Sequence, residues 1–241
     1  ALSSAASDVY KRQSHGYPTL LTTTTHIMKP DFLSDESYIE NEDLGQLANI
    51  FTNLKKNTLP LAALGIPEKV VNSNVKWRSP SSDFCEKIAE FSKKFSTKNP
   101  YKFLKILCEG DGSKRLPIKL PKDGEPVFFP KTDTVIGVIG LSCLGKPIKE
   151  TLFRYELLPN LTSLDNYFIK SLQSTDIVTT DFLYRLCLSE KGLRKNITSQ
   201  KFCIIFNQAD ILDEKALAEV ITLRNQLQTK GICPHIISVK N

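Results

Sequence analysis

Short apolar runs alternate with amphipathic stretches along this chain. The run Phe103 to Cys108 is apolar except for one lysine, and Gly110 and Gly112 follow it closely. A short apolar run that ends at glycines is typical of a buried strand. Thr134 to Ile139 and Phe202 to Phe206 are similar runs, so the pattern predicts buried strands at all three places.

Helical periodicity fills the intervals between these runs. Phe84, Ile88, Phe91 and Phe95 recur at helical spacing, and Asp83 with Glu86 fits a capping pair at the start of that helix. Two later helices are predicted to begin near Thr179 or Thr180, which can cap, and at Asp213. Strands that alternate with helices from residue 18 to the end predict a mostly parallel, three-layer α/β sheet.

The first residues do not share this pattern. Residues 1–13 have neither an amphipathic period nor a long apolar core, so we interpret them as a foreign or disordered tail. The remaining residues, 14–241, are few enough for a single α/β domain.

Composition narrows the function classes. A net charge of +6 is too small to argue for nucleic acid, and no aromatic and basic interleaving supports such binding. No apolar run approaches the ~20 residues of a membrane helix. The six cysteines are not paired at metal-ligand spacing, and no secretory h-region is visible. A cytoplasmic protein without a membrane or nucleic-acid partner is therefore expected.

Chemistry-bearing residues gather where the predicted strands end. Tyr17 to Ile27 reads as a strand with Thr22 to Thr25 at its carboxyl end, and the Phe103 strand delivers Glu109 to Pro121. The Thr134 strand delivers Gly140 to Lys146. Because ligands of open α/β sheets bind at the carboxyl ends of strands, these segments are the candidate site.

Three of these segments also carry a resemblance. The segments are Leu20 to Ile27, Glu109 to Pro121 with Glu125-Pro126, and Val135 to Ile148. Together they resemble the YqeC family, described as accessory proteins of selenium-dependent molybdenum hydroxylases. A weaker fourth segment is Asn207 to Asp210, and the resemblance spans roughly residues 18 to 240 in family order.

The resemblance implies a P-loop NTPase-like fold. Members of the family carry a phosphate-binding Gly-Lys-Thr loop before the strand that ends in the Thr run. Here only His15 to Pro18 separate the odd tail from that strand, so the first strand and its phosphate loop are expected to be missing. The chain would then be an N-terminally truncated fragment.

The acidic segment is the expected metal site. In a P-loop fold, Glu109 or Asp111 would hold Mg²⁺ at the strand end, and the intervening Gly110 would let a ligand approach the backbone. Lys114 and Arg115 would bind phosphate or carboxylate groups. A tight acidic turn in which the aspartate caps its own backbone is the structural alternative.

The threonines at the end of the first strand are the next candidates. The hydroxyl of Thr24 or Thr25 would position a phosphate, a Mg²⁺-bound water or substrate, a role favoured by the resemblance. The alternative is that these threonines are simply good strand residues.

Gly140 to Lys146 matches the spacing of a P-loop but differs in its chemistry. Pro147 stands where Ser or Thr would bind Mg²⁺, and bulky residues fill the inner positions. We therefore predict a second wall of the site, with Gly145 and Lys146 facing the ligand, instead of a true phosphate loop.

Asn207 and Asp210 fit the base-recognition pattern of GTPase-like folds. Asn would support the loop and Asp would accept hydrogen bonds from guanine. Gln208 replaces the lysine that normally stacks on the base, which weakens the guanine assignment. An Asx-type turn into the next helix is the alternative interpretation.

Function follows from these roles as an expectation. The leading hypothesis is a nucleotide-binding accessory protein for maturation of a selenium-dependent molybdenum hydroxylase, which binds Mg²⁺ and ATP or GTP when intact. Whether it hydrolyses the nucleotide stays open, and no catalytic residue is assigned. The first alternative is a non-catalytic binding module for a cofactor or partner hydroxylase. The second is an enzyme acting on another phosphorylated or carboxylated small molecule.

Overall fold

Strands and helices alternate through the computed structural model, which describes residues 17–52, 61–98, 103–161 and 172–238. The strands are β1 (Thr19–Thr23), β2 (His26–Met28), β3 (Tyr38–Ile39), β4 (Leu61–Leu64), β5 (Ile66–Val71), β6 (Asn74–Arg78), β7 (Lys105–Glu109), β8 (Ile118–Lys119), β9 (Thr134–Gly140), β10 (Leu152–Phe153), β11 (Lys201–Asn207) and β12 (Cys233–Ile236). The helices are α1 (Leu44–Thr52), α2 (Ser82–Lys98), α3 (Ile148–Thr151), α4 (Thr180–Leu188) and α5 (Glu214–Thr229).

The chain divides into two compact units. The first comprises Ala1–Gly112 with Val127–Lys131, and the second comprises Ser113–Pro126 with Thr132–Asn241. Compactness alone does not measure whether two units fold together, so a single domain over 14–241 stays a prediction. The predicted tail, residues 1–13, lies outside the described residues.

The first unit has three layers. Its central sheet is parallel, in the order β3-β4-β1-β7. Leu20 of β1 packs with Phe51 of α1 and Ile88 of α2, whereas Leu21 packs with Trp77 of β6. Because successive strand residues point to opposite faces, the helices cover one face and the antiparallel sheet β2-β6-β5 covers the other.

The second unit is built on the parallel sheet β12-β11-β9, with a small parallel pair formed by β8 and β10. Ile204 and Phe206 of β11 are fully buried among Leu183 of α4 and Val220 and Leu227 of α5. Burial of each such side chain contributes about 1.5–3 kcal/mol relative to exposure. The predicted α/β class with mostly parallel sheets is therefore confirmed.

Several predicted boundaries differ from the structure. The strand predicted over Tyr17 to Ile27 is two strands, because the chain leaves the parallel sheet after Thr23 and β2 joins the antiparallel one. The strand predicted from Phe103 begins at Lys105, and Phe103 is exposed.

The capping pair predicted at Asp83 and Glu86 is wrong. Ser81 occupies the capping position, since its hydroxyl accepts the Phe84 N–H at 3.3 Å. Glu42 holds that serine through its N–H and its hydroxyl, at 2.6 and 2.8 Å. A residue distant in sequence thus decides where α2 starts.

No helix within the described ranges combines the length and the apolar character that a membrane span requires.

Candidate functional site

Threonine and carboxylate residues meet at one edge of the parallel sheet in the first unit. The strand register pairs Thr23 of β1 with Glu109 of β7. The Thr23 hydroxyl and the Thr24 N–H both donate to the Glu109 carbonyl, at 3.0 Å each. The structure therefore brings Thr24, Thr25, Glu109 and Asp111 to the carboxyl edge of neighbouring strands, where the sequence predicted them.

The hydroxyl of Thr24 has its proton engaged. Thr24 Oγ1 donates to the carbonyl of Val127. The Cys108 thiol donates to the same Thr24 oxygen at 3.9 Å, so one of its two lone pairs is left to accept a hydrogen bond from a ligand such as a metal-bound water. Thr25 is half buried. Its N–H donates to Thr23 Oγ1 and its carbonyl accepts the N–H of Ser79, both at 2.9 Å.

The two predicted metal-binding carboxylates lie close in the chain at the end of β7. Glu109 is its last residue and Asp111 follows two positions later, and both are half buried. Across the described part of the chain, no group of three or more His, Cys, Asp or Glu side chains converges to hold a metal. Two carboxylates suit Mg²⁺, which is commonly bound by one or two of them together with water and phosphate oxygens.

The structure gives Gly110 a packing reason to be glycine, and its role in ligand approach stays a prediction. A Cβ on Gly110 would lie 2.9 Å from the carbonyl oxygen of Val127. The N–H of Val127 in turn donates to the Gly110 carbonyl at 3.4 Å. The space beside this glycine is thus filled by the protein's own backbone. Gly112 faces the Glu109 carboxylate instead, because a Cβ there would lie 3.2 Å from Glu109 Oε1.

Thr22 has a buried hydroxyl without a partner. Its side chain is 3 % exposed, and Thr22 Oγ1 makes no hydrogen bond in the structure as described. An unsatisfied buried hydroxyl costs about 1–3 kcal/mol. The sequence placed Thr22 in the threonine run but did not single it out, because a satisfied and an unsatisfied threonine look alike in sequence.

In the second unit, Gly140 to Lys146 does not form a phosphate cradle. The N–H groups of Gly140, Gly145 and Lys146 donate to backbone carbonyls of Pro117, Val178 and Cys143, at 2.9–3.1 Å. A P-loop instead turns its N–H groups toward phosphate. Gly145, at φ +72°, and Lys146 are both exposed, as a ligand-facing wall requires, but no ligand role is tested by this.

Asn207 is the last residue of β11, and Asp210 follows three positions later. Asn207 is buried, and its Oδ1 accepts the N–H of Gln208 at 2.8 Å, while Gln208 adopts a left-handed conformation at φ +69°. Asp210 is exposed in the short 3₁₀ turn Ala209–Ile211. The bond from Asn207 reaches the next residue, whereas an Asx turn bonds the N–H two residues on, so the turn alternative and base recognition both stay predictions.

Lys114 and Arg115 belong to the second unit. Both are exposed and adopt left-handed backbone conformations, at φ +52° and +68°. The Lys114 ammonium lies 5.0 Å from the centre of the Phe153 ring. The six predicted phosphate and base residues thus belong to the second unit, and the predicted threonines and carboxylates belong to the first.

A buried ion cluster in the second unit was not predicted. The Glu125 carboxylate accepts two hydrogen bonds from the Arg154 guanidinium, the one from Nη2 at 3.1 Å, and it lies 2.9 Å from Lys119 Nζ. The side chains of these three residues are only 9–18 % exposed. The sequence contained Glu125 within a family segment, but no spacing signal links it to Lys119 or Arg154.

Charge and burial act in opposite directions on this cluster. Burial alone would raise the pKa of Glu125, but hydrogen bonds from Arg154 and Lys119 outweigh it and lower that pKa to about 2. Burial lowers the pKa of Lys119, and the bond to Glu125 partly offsets this. The carboxylate is therefore firmly ionised at neutral pH.

A family comparison bears directly on these segments. A model of the YqeC protein family matches residues 6–156, which is more than half of the chain. The chain belongs to the YqeC family. The match contains the threonine run, the acidic loop, Gly140 to Lys146 and Arg154, whereas Asn207 and Asp210 lie beyond it.

The YqeC match begins inside the segment predicted to be a foreign tail, and that assignment stays a prediction. No curated protein and no solved structure matches the chain.

Proposed function

We propose that this YqeC protein is a nucleotide-binding accessory protein in the maturation of a selenium-dependent molybdenum hydroxylase. Membership of the YqeC family is the observation that carries the proposal. The nucleotide would be ATP or GTP with Mg²⁺, and a P-loop NTPase-like fold is part of the same proposal.

The carboxyl edge of the first unit supports the metal role. Glu109 and Asp111 are hard oxygen donors at the end of a parallel strand, and Thr24 on the neighbouring strand end offers one acceptor lone pair. When bound, Mg²⁺ would neutralise phosphate charge. The two carboxylates would hold the ion, and Thr24 would orient a metal-bound water by accepting a hydrogen bond from it.

The basic residues of the second unit have proposed phosphate roles of their own. Lys114, Arg115 and Lys146 are exposed cations that would reduce the charge of a bound polyphosphate. Asn207 and Asp210 are proposed to contact the base, with Asp210 as the exposed acceptor.

Isothermal titration calorimetry with Mg²⁺-ATP and Mg²⁺-GTP tests the proposal through Asp111→Asn in a version of the chain that carries a family-like N-terminus with the Gly-Lys-Thr loop, the form expected to bind. The substitution keeps the side-chain size and removes the charge, so we expect Mg²⁺-dependent affinity to fall by roughly tenfold. Asp31→Asn is the matched control, because Asp31 is an exposed aspartate of the same unit. Unchanged Mg²⁺-dependent binding in Asp111→Asn would remove Asp111 from the metal role.

A second titration tests the missing-loop expectation. A version extended by a family-like N-terminus with the Gly-Lys-Thr loop is compared with this chain. Binding by the extended version alone supports the expectation, and equal binding by both contradicts it.

The alternative function is a non-catalytic binding module for a cofactor or partner hydroxylase. The observation that favours it is the exposed apolar face of β9, where Ile136 and Val138 are 41 % and 56 % exposed. Exposed strand edges and faces are common protein-binding surfaces. Nucleotide-independent capture of the hydroxylase, without nucleotide turnover, would support this alternative over the first.

A further inference from the structure

Three cationic side chains surround one aromatic ring in the second unit. The centre of the Phe153 ring lies 4.8 Å from Arg154 Cζ, 5.0 Å from Lys114 Nζ and 5.5 Å from Lys119 Nζ. Lys119 and Phe153 are partners in the register of β8 and β10, so the sheet itself holds two members of the group together.

We propose that this group, the Phe153 cluster, binds a multiply charged phosphoryl anion such as pyrophosphate. The cluster consists of Lys114, Lys119, Arg154 and Phe153, with Glu125 as its internal carboxylate. The inference deepens the proposed function because Lys114 takes part in both, but its geometry stands on the second unit alone.

The first argument is charge. Lys122 adds a further cation 3.9 Å from Glu125 Oε1, so three cations contact Glu125 and a fourth, Lys114, lies over the Phe153 ring. Like charges held this close repel one another, and the repulsion is strongest where burial reduces screening by water. An anion with more than one negative charge would relieve that excess.

The second argument is donor geometry. The Glu125 carboxylate accepts hydrogen bonds from two N–H groups of Arg154 and so fixes the plane of the guanidinium. Arginine carries five N–H donors in a rigid fork that matches phosphate oxygens, so the orientation imposed by Glu125 also aims its remaining donors. In this arrangement Glu125 positions the cations and Arg154 with Lys114 contacts the anion.

The third argument is the backbone. Lys114 and Arg154 both adopt left-handed conformations, at φ +52° and +67°. Such conformations cost non-glycine residues on the order of 1 kcal/mol and concentrate at ligand sites. Eight non-glycine residues in the described ranges have a positive φ, and both residues that would contact the anion are among them.

Calorimetry and ³¹P NMR with pyrophosphate test the inference on the full chain without Mg²⁺. We expect Lys114→Gln and Arg154→Gln each to weaken pyrophosphate binding by about tenfold. Lys215→Gln is the matched control, since it removes an exposed lysine on α5 and leaves the cluster intact. Binding should also weaken with added NaCl.

The Lys114→Gln variant keeps the test valid if Arg154→Gln misfolds. Lys114 is exposed, so Lys114→Gln is expected to keep the thermal unfolding midpoint of the parent chain even where Arg154→Gln does not. Equal loss of affinity in Lys215→Gln and Lys114→Gln would overturn the site, because only overall charge would then matter. The site would also be overturned if the parent chain did not bind pyrophosphate. The same holds if it bound succinate, a dicarboxylate without phosphoryl groups, more tightly than pyrophosphate.

Failure of the proposed function is distinguishable from failure of this site. No Mg²⁺-nucleotide binding by the parent chain or its extended version, with pyrophosphate binding that falls in Lys114→Gln, refutes the proposed function and leaves the cluster standing. Pyrophosphate binding that survives in Lys114→Gln and Arg154→Gln refutes the cluster whatever the nucleotide result.

Discussion

At the scale of single residues, Glu125 has the most consequential contacts in the second unit. It is the carboxylate that accompanies a nearly buried lysine, Lys119, and a mostly buried arginine, Arg154. Removing one partner of a buried ion pair is far more costly than removing an exposed one, because the other charge stays behind without compensation.

Glu125→Gln is therefore expected to lower the free energy of unfolding by about 3 kcal/mol at pH 7. The pKa of Glu125 is lowered to about 2 in the folded state, against about 4.3 in unfolded chains. Its stabilisation is thus fully present above pH 4.3 and is lost as pH falls toward 2. Urea unfolding at pH 7 and at several pH values from 2 to 5 measures both effects.

Glu150→Gln serves as the control for this prediction, because Glu150 is an exposed carboxylate of the same unit. We expect it to change the free energy of unfolding by less than about 0.5 kcal/mol. If Glu125→Gln retained the parent's stability, or its full pH dependence between 2 and 5, the cluster would contribute nothing to folding.

At the scale of elements, α4 shows how a local signal anchors a buried helix. Thr179 Oγ1 accepts the N–H of Phe182 at 3.1 Å, which confirms Thr179 as the predicted cap. The helix places Phe182, Leu183 and Leu186 in the core of the second unit. The cap therefore orients the same turn that begins the buried face.

Thr179→Ala is expected to lower the free energy of unfolding by about 1 kcal/mol, because it leaves a helix N–H without its acceptor. Thr222→Ala is the matched control on α5, where the hydroxyl only returns to the Ala218 carbonyl at 3.0 Å. Alanine favours helix more than threonine, so this control should be neutral or slightly stabilising. Equal destabilisation by both variants, measured in urea, would show that the cap bond is not the cause.

At the scale of the whole molecule, exposed apolar strand residues affect association. β11 is the only strand paired with β9 in the described ranges, and the exposed Ile136 and Val138 lie on the same side of β9. A strand that presents an open edge and an apolar face is a template for pairing with another chain. The modest net charge of +6 provides limited repulsion against such contact.

Val138→Lys is expected to reduce self-association of the chain, because a lysine on an edge strand opposes pairing by charge and by desolvation. Sedimentation velocity across a concentration series measures this. Ile221→Lys makes a comparable change on the exposed surface of α5. A parent chain that stays monomeric at all concentrations, or an equal effect of both lysines, would contradict the edge-strand explanation.

The sequence by itself determined the local features of this protein. The runs at Thr134 and Phe202 became β9 and β11, and Thr179 became a cap, because strand period and capping depend on residues a few positions apart. The placement of Thr24 and Glu109 at one strand edge also followed from sequence. Parallel strands of an α/β sheet present their carboxyl ends together.

Tertiary structure decided what depends on residues far apart in the chain. Ser81 caps α2 and is held by Glu42, and the backbone of Val127 fills the space beside Gly110. The ion cluster joins Lys119, Glu125 and Arg154. None of these contacts has a sequence period, because each joins residues from separate segments. Burial and charge pairing belong to the folded neighbourhood, and that neighbourhood is created only when the strands and helices pack.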